Sequence, residues 1–429
     1  MKGIVLKKYT HAFALVLLVI ACLGSSARAA YAPESARVTH QTTTHVAKLP
    51  LLPYFGVSEN MILSGNPTQS QNVANLGKTA GFNFWRINVY YQLSRDKNVH
   101  NYIPTDPDQL CNAARALVGA GIKNMMLTFM PTYHTGYPLL INSIVGQGQT
   151  DLGELDDFVD QDLGVLYGVA PNRGCATDSS GRPALNLWVQ SGNEMNLETF
   201  CDPQNDDDHS ACAQVAAVMQ ANFYHFIKGK EMPKFGVNMT VVGASVASHH
   251  TPWLYLQQYA HKQNVLTHCV CMDVFDFHPY AQWGSCDPMS GVNMYKALLV
   301  NGRVAFGKIF GTSKVPIFYG EWAVETLMLN SQGYINYKPD NCLTVNENRQ
   351  IDAWQQILPI VQKQQVLGLA TEHLCDEVDL LHGFQSGLWT FNCQRPKQNE
   401  PVIAKLIRSV SVQDNPAGSA PQSSPPGER

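Results

Sequence analysis

The chain has 429 residues, of which 45% are hydrophobic and 15% are charged, and its formal net charge at pH 7 is −4. This apolar fraction can fill a large core and excludes an intrinsically disordered chain. The lack of a basic excess argues against a nucleic-acid partner.

The N-terminal segment, residues 1–29, has the features of a secretory signal peptide. Three lysines within the first eight residues precede an apolar run over 12–23, and Ala27-Arg28-Ala29 then offers small residues for cleavage. This order is typical of exported proteins, and an uncleaved N-terminal anchor is the alternative. We therefore expect a secreted protein, extracellular or periplasmic, that has no membrane association after cleavage.

Short apolar runs and amphipathic segments alternate along the rest of the chain. Eight runs are mostly continuous, which is typical of strands buried on both faces of a parallel sheet. The predicted strands are residues 53–57, 83–89, 123–129, 185–190, 240–244, 274–278, 316–319 and 387–391. The predicted helices are residues 69–80, 108–120, 155–167, 212–228, 253–262, 292–310, 349–367 and 401–410. Eight such units predict an α/β fold, a single-domain (β/α)8 TIM barrel over residues 30–412.

An open doubly wound sheet is the alternative fold. It would place a glycine-rich phosphate loop after the first strand, whereas the residues there read Gly56-Val57-Ser58-Glu59. The tail over 413–429 is rich in Pro, Ser and Gly, so we expect it to be disordered.

The cysteines indicate disulfide bonds. Ten of them follow the signal segment, and an even number is typical of exported chains. Cys201 and Cys212 flank a polar insert and are the pair that is easiest to propose, while the other pairings stay open. The histidines between 249 and 268, with Cys269 and Cys271, match no zinc-site spacing, so we expect no metal.

Two glutamates stand at matching places, each just after a predicted strand. Glu194 follows the fourth strand and Glu321 follows the seventh. The carboxyl ends of barrel strands meet at one face, where catalytic groups lie. Glycoside hydrolysis requires two such carboxyl groups, one protonated and one ionised, and retaining enzymes hold them about 5–5.5 Å apart. The alternative for each residue is a helix cap or a surface ion pair.

This pattern resembles the retaining glycoside hydrolases of clan A and is most similar to family 5. Asn193-Glu194, Glu321 and Arg86 in the second strand carry the resemblance. It implies that Glu194 is the acid/base and Glu321 the nucleophile. It also implies that Arg86 keeps the nucleophile ionised and that Asn193 binds the sugar 2-hydroxyl. The chain departs from family 5 at Met195, where proline is usual.

The resemblance also implies several substrate-binding residues. His278 and Tyr280 resemble a His-x-Tyr element in which the tyrosine hydrogen-bonds the nucleophile. Trp389, in the predicted eighth strand, resembles the tryptophan that forms the floor of the subsite for the sugar being cleaved. Trp283 is a further expected sugar platform, because flat aromatic faces suit the apolar faces of pyranose rings.

Together these features predict a secreted, monomeric glycosidase that acts on a β-linked poly- or oligosaccharide. It would cleave by double displacement through a covalent glycosyl-enzyme, with no cofactor. The alternatives are a metal-dependent TIM-barrel hydrolase, a carbohydrate-binding pseudoenzyme on the same fold, and a transglycosylase that shares the whole site.

Overall fold

Nine parallel strands form the frame of the computed structural model. The structure describes residues 49–91, 106–131, 152–168, 174–196, 210–248, 252–279, 304–311, 315–322, 347–376, 387–390 and 393–412. The strands are β1 (Tyr54–Ser58), β2 (Phe84–Tyr91), β3 (Asn124–Pro131), β4 (Asn186–Gln190), β5 (Met239–Val242), β6 (Val246–Ala247), β7 (Phe275–His278), β8 (Ile317–Trp322) and β9 (Gly368–Glu372). Their order in the sheet is β5-β4-β3-β2-β1-β9-β8-β7-β6.

The sheet closes into a barrel because β5 and β6 together occupy one strand position. β5 pairs with β4 and β6 pairs with β7, and only residues 243–245 lie between the two strands. Val242 forms a parallel bridge with Val274, and the backbone N–H of Gly243 donates to the carbonyl of Val274 at 2.8 Å. Eight strand positions result, and the predicted (β/α)8 fold is confirmed.

Helices follow most of the strands. They are α1 (Pro67–Ala80), α2 (Pro107–Ala120), α3 (Leu152–Tyr167), α4 (Ser210–Phe226), α5 (Met232–Phe235), α6 (Pro252–Lys262), α7 (Glu347–Lys363) and α8 (Glu400–Val410). Residues 304–310 are also helical. Local sequence determines where α1 begins and ends. Asn66 accepts a hydrogen bond from the N–H of Thr68 at the first turn, and Gly81 ends the helix at φ 100°.

The core has an inner and an outer part. The outer part lies between strands and helices. The inner part consists of Phe84, Met126, Trp188, Val242, Val274, Phe318 and Ala370. The Phe84 ring lies 5.0 Å from that of Trp188 and 4.8 Å from that of Phe318, between centroids. Burial of each such large apolar side chain contributes about 1.5–3 kcal/mol. This inner layer fills the barrel, so any site above it has a closed floor.

The predicted eighth strand is wrong. The strand that completes the barrel is β9 (Gly368–Glu372), which pairs with β1 on one side and β8 on the other. In the segment predicted as a strand, Trp389 forms only isolated bridges with Cys375 and Pro396. The predicted helix over 349–367 ends at Lys363 instead, and leaves room for β9.

Three disulfides occur among the described residues, namely Cys111–Cys175, Cys269–Cys271 and Cys375–Cys393. Cys201 lies outside the described residues, so its pairing with Cys212 stays a prediction. The signal segment 1–29 and the tail 413–429 also lie outside them. Where the structure describes the chain, it contains no helix of the length and apolar character that crossing a membrane requires.

Candidate active site

Polar side chains stand directly above the apolar inner layer. Successive side chains of a strand point to opposite faces, so the residue two positions after an inward-facing one also faces inward. Each of the seven inner-layer residues has such a residue two positions after it in the chain. Five of these seven are polar: Arg86, Thr128, Gln190, Asp276 and Glu372. They lie on five different strands, and Arg86, Thr128 and Glu372 are level with the last residues of neighbouring strands or are themselves the last. Polar side chains therefore line the barrel at the face where β1, β4 and β9 end.

Arg86 is fully buried and occupies the centre of this polar group. Its Nη1 forms an ion pair with Oε1 of Glu321 and donates to Oγ of Ser58 at 3.0 Å. Its Nη2 donates to Oδ1 of Asn193 at 2.6 Å and to Oε1 of Gln190 at 3.3 Å. A buried cation is costly unless it is paired, and this one meets a carboxylate and three polar oxygens.

A bulge in β8 aims Glu321 into the barrel. Tyr319 and Trp322 both pack in the outer core, and the register against β9 shifts between them. Two residues therefore lie between two outward-facing ones, which places Gly320 and Glu321 together on the inner side. A side chain at Gly320 would overlap the carboxylate of Asp276, to which the N–H of Gly320 donates at 2.7 Å. Only glycine fits there.

Glu194 is held in a left-handed backbone conformation, with φ 45°. Such a conformation costs about 1–3 kcal/mol in a non-glycine residue and persists only where its surroundings enforce it. Ser245 is the enforcing group: its Oγ accepts from the N–H of Glu194 at 2.8 Å and donates to Oδ1 of Asn193 at 2.9 Å. The backbone of Ser245 also bonds to Gly192 and Met195. The segment after β4 is thus fixed to the segment between β5 and β6.

His278 lies between the two glutamates and is fully buried. Its Nδ1 is 2.9 Å from Oε1 of Glu194 and 3.4 Å from Oε2 of Glu321, and its Nε2 is 3.2 Å from Oδ2 of Asp276. Burial opposes the charged imidazolium, but Glu321, Asp276 and Glu194 together raise the pKa of His278 to about 10. The three carboxyl groups thus favour the charged form of His278, in which both ring nitrogens can donate.

The two glutamates have different electrostatic surroundings. Burial raises the pKa of Glu194, and the charges of Glu321 and Glu372 raise it further, against the opposing effect of His278. Glu321 faces the guanidinium of Arg86. One carboxylate oxygen of Glu194 lies within 4.8 Å of one oxygen of Glu321. The arrangement favours a protonated Glu194 beside an ionised Glu321.

Further hydrogen bonds, centred on Gln190, support the charged residues of the site, and the sequence motifs did not predict them. Gln190 donates from Nε2 to Oδ2 of Asp276 at 2.8 Å and to the carbonyl of Gly243 at 2.8 Å. Its Oε1 accepts from Oγ1 of Thr128 at 2.8 Å. The available signal was a polar residue at an inward-facing position in an otherwise apolar strand, because a buried polar side chain requires a partner.

Metal binding is the other chemistry that these residue types could support. Two groups of three possible ligands occur among the described residues: Glu194, His278 and Glu321, and His225, Cys269 and Cys271. Cys269 and Cys271 form a disulfide with each other, so neither offers a thiolate. In the first group, a metal ion would bind the neutral form of His278, so its binding would release a proton from that residue.

The structure thus brings together five of the eight predicted site residues, namely Arg86, Asn193, Glu194, His278 and Glu321. Tyr280 and Trp283 lie outside the described residues, and their roles stay predictions. Trp389 is not on a barrel strand. Its backbone N–H donates to the carbonyl of Leu374, just after β9, and 4% of its surface is exposed. Its role as a sugar platform also stays a prediction.

Comparison with known proteins reveals the fold but no sequence relative. No protein-family model matches the chain, and no curated protein matches it in sequence. An endo-β-1,4-mannanase from Thermotoga petrophila is similar in structure, with a TM-score of 0.53 and 11% identity, over 87% of this chain and 79% of that one.

Two further solved structures have a TM-score of 0.50. A family 5 mannosidase from Rhizomucor miehei is 10% identical over 85% of this chain and 94% of its own. A family 113 β-1,4-mannanase is 12% identical over 84% of this chain and 100% of its own. At these identities the likeness concerns the barrel fold alone.

Proposed function

We propose that the protein is a retaining glycosidase that hydrolyses β-glycosidic bonds of a poly- or oligosaccharide. One observation carries the proposal: carboxylate oxygens of Glu194 and Glu321 lie within 4.8 Å of each other at the carboxyl ends of two barrel strands. That spacing fits the about 5–5.5 Å of retaining enzymes, whereas inverting enzymes separate their carboxyl groups by about 6.5–9.5 Å to admit a water molecule.

The proposed reaction proceeds in two steps. Glu321, which the ion pair with Arg86 keeps anionic, attacks the anomeric carbon while Glu194 transfers its proton to the leaving oxygen. The carbon–oxygen bond to the leaving group breaks, and an ester between the sugar and Glu321 forms. Glu194, now ionised, removes a proton from water, which attacks the same carbon and releases the sugar. His278 contacts both carboxylates and positions them throughout.

Asn193 is proposed to bind the sugar 2-hydroxyl. Both Arg86 and Ser245 donate to its Oδ1, which leaves the amide nitrogen as the group that faces a ligand. A hydrogen bond to the 2-hydroxyl strengthens as charge develops on the ring in the transition state. Tyr280, Trp283 and Trp389 are proposed to complete the substrate-binding surface.

The wider biological setting is also a proposal. The signal-like segment 1–29 supports secretion to the cell exterior or periplasm, with residues 30–412 as the catalytic domain and 413–429 as a disordered tail. The partner is a carbohydrate substrate, the protein is proposed to be a monomer, and the reaction scheme uses no cofactor.

A hydrolysis screen tests the proposal. The substrates are β-glucan, β-mannan, β-galactan and xylan, together with aryl β-glycosides, with and without EDTA. We expect EDTA-insensitive release of sugars from at least one of them. Glu194→Ala and Glu321→Ala should each lower kcat by about 10³-fold or more on natural substrates. A folded wild-type protein that cleaves none of them would contradict the proposal, as would EDTA-dependent activity.

Rescue by azide tests the acid/base role of Glu194 and the nucleophile role of Glu321 separately. With an activated aryl β-glycoside, Glu194→Ala should be rescued by azide and should yield the β-glycosyl azide, because Glu321 still forms the intermediate. Glu321→Ala should yield the α-glycosyl azide, because azide then attacks from the vacated face. The reverse assignment of products would mean that the roles are exchanged.

A further inference from the structure

A third glutamate, Glu372, faces the same site and has no part in the reaction described above. It is the last residue of β9, two positions after Ala370, which belongs to the inner apolar layer. Alternation along the strand therefore points the Glu372 side chain into the barrel mouth. Its register partner on β1 is Ser58, which accepts a hydrogen bond from Arg86.

The position of Glu372 relative to the reacting groups follows from strand pairing. β9 lies beside β8, and Thr371 pairs with Trp322, so Glu372 stands one residue beyond that pair and Glu321 one residue before it. The charge of Glu372 also acts on the carboxyl group of Glu194. Its side chain is 15% exposed, which keeps it within reach of a ligand in the mouth.

Among the residues that the structure describes, the carboxyl groups of the site outnumber its cations. Four carboxyl groups meet here, those of Glu194, Glu321, Asp276 and Glu372, and the described cations among them are Arg86 and His278. Protonation of Glu194 still leaves three anions against two cations. His373 lies 3.4 Å from Oε1 of Glu372 and adds a further positive charge only if it is protonated. An added anion beside these carboxylates would be repelled by them.

We propose that Glu372 is a specificity-determining residue, which accepts hydrogen bonds from hydroxyl groups of a neutral sugar and excludes sugars that carry a carboxylate. This inference rests on the proposed function and narrows its substrate class to neutral pyranosides. A carboxylate is a strong acceptor for sugar hydroxyls, since charged hydrogen bonds are about twice as strong as neutral ones. The same negative charge discriminates against uronates by direct repulsion.

Kinetics on a matched pair of substrates test the inference. The first substrate is the neutral aryl β-glycoside that the wild-type protein cleaves best, and the second is its uronate counterpart, with the C6 alcohol oxidised to a carboxylate. Glu372→Gln should raise KM for the neutral substrate and lower the preference for it over the uronate by roughly tenfold or more. Glu372→Asp, which keeps the charge, should retain the preference, and Glu400→Gln on α8 is the matched control.

The pH dependence of kcat/KM distinguishes sugar recognition by Glu372 from a purely structural role of this residue. Loss of an anion beside Glu194 should move the high-pH limb of kcat/KM to lower pH in Glu372→Gln but not in Glu372→Asp. A folded Glu372→Gln protein with an unchanged substrate preference and pH profile would overturn this inference alone. A wild-type protein that cleaves no glycoside would overturn the proposed function and this inference with it.

Discussion

At the scale of single residues, the site places two buried cations against carboxylates at the barrel mouth. Arg86 and His278 are both fully buried, and each contacts carboxylates that the sheet would otherwise leave unpaired. A buried pair contributes little net stability, because desolvation offsets the attraction, but removal of one partner is costly. We therefore infer that these ion pairs set the protonation states and the positions of the carboxyl groups, and add little to the stability of the fold.

His278 should give the protein a characteristic dependence of stability on pH. Its pKa rises from an ordinary 6.5 to about 10 on folding. The folded state then binds the proton more tightly, so this contribution is fully present below pH 6.5 and is lost as pH rises towards 10. Urea unfolding at several pH values should show a fall of a few kcal/mol across this window. His278→Gln should be less stable at pH 6 and should lack most of the fall. Equal pH dependence in the two proteins would contradict the prediction.

At the scale of secondary-structure elements, the bulge in β8 and the break between β5 and β6 position the site. The bulge turns Gly320 and Glu321 to the same side, and the break presents Ser245 to the backbone of Glu194. Irregular strand ends of this kind commonly re-aim side chains beside active sites. The bulge depends on the absence of a side chain at Gly320, and the contact at the break depends on the small hydroxyl side chain of Ser245.

Gly320→Ala tests the bulge. The added methyl group would overlap the carboxylate of Asp276, so we expect a destabilisation of about 1–3 kcal/mol. Since Asp276 also contacts His278, kcat should fall by at least about tenfold. The matched control is Gly164→Ala in α3, where the new methyl group meets no atom within 4 Å and helix propensity favours alanine by about 0.5–1 kcal/mol. Similar effects of the two substitutions would contradict this interpretation of the bulge.

Most strands and the two glutamates at the strand ends were predictable because their signals are local. β2, β3 and β4 are mostly apolar runs, and Glu194 follows one of them. The eighth strand was not predictable, because Gly-Leu-Ala-Thr-Glu follows α7 closely and has little strand character of its own. The segment at Trp389 is richer in aromatic residues and has the stronger strand character in sequence. Only the pairing of β9 with β1 and β8 decides between them, and it joins residues distant in sequence.

The residues that support Glu194 and Glu321 were harder to predict than the two glutamates themselves. Asp276 and Gln190 sit inside apolar strands, where the sequence shows a polar residue but not which neighbours it faces. Ser245 lies in the break between β5 and β6, so its contact with Glu194 depends on closure of the barrel. Glu372 could not be recognised before β9 was placed.

At the scale of the whole molecule, disulfides bind outer segments to the barrel. Cys111 in α2 is joined to Cys175, 64 residues away, and Cys375 after β9 is joined to Cys393, 18 residues away. In the chain-entropy model a cross-link stabilises more when it closes a longer loop. The bond between α2 and the segment after α3 should therefore contribute more.

Removal of each disulfide tests this difference. The Cys111→Ser, Cys175→Ser double variant should lose about 4 kcal/mol of unfolding free energy, and the Cys375→Ser, Cys393→Ser variant about 3 kcal/mol. Urea unfolding of the three proteins measures both values. The second variant should also lower activity more, because its bond lies beside Glu372 and Trp389. A larger loss of stability from the shorter loop would contradict the prediction.

The stereochemistry of the cleaved sugar is the most direct test of a reaction in which Glu194 and Glu321 act on one sugar ring. Proton NMR can follow the anomeric configuration of the first product during rapid hydrolysis of the best β-linked substrate. Retention, seen as early accumulation of the β-anomer, is expected for carboxylate oxygens within 4.8 Å of each other. Early accumulation of the α-anomer would show inversion and would rule out a covalent intermediate on Glu321.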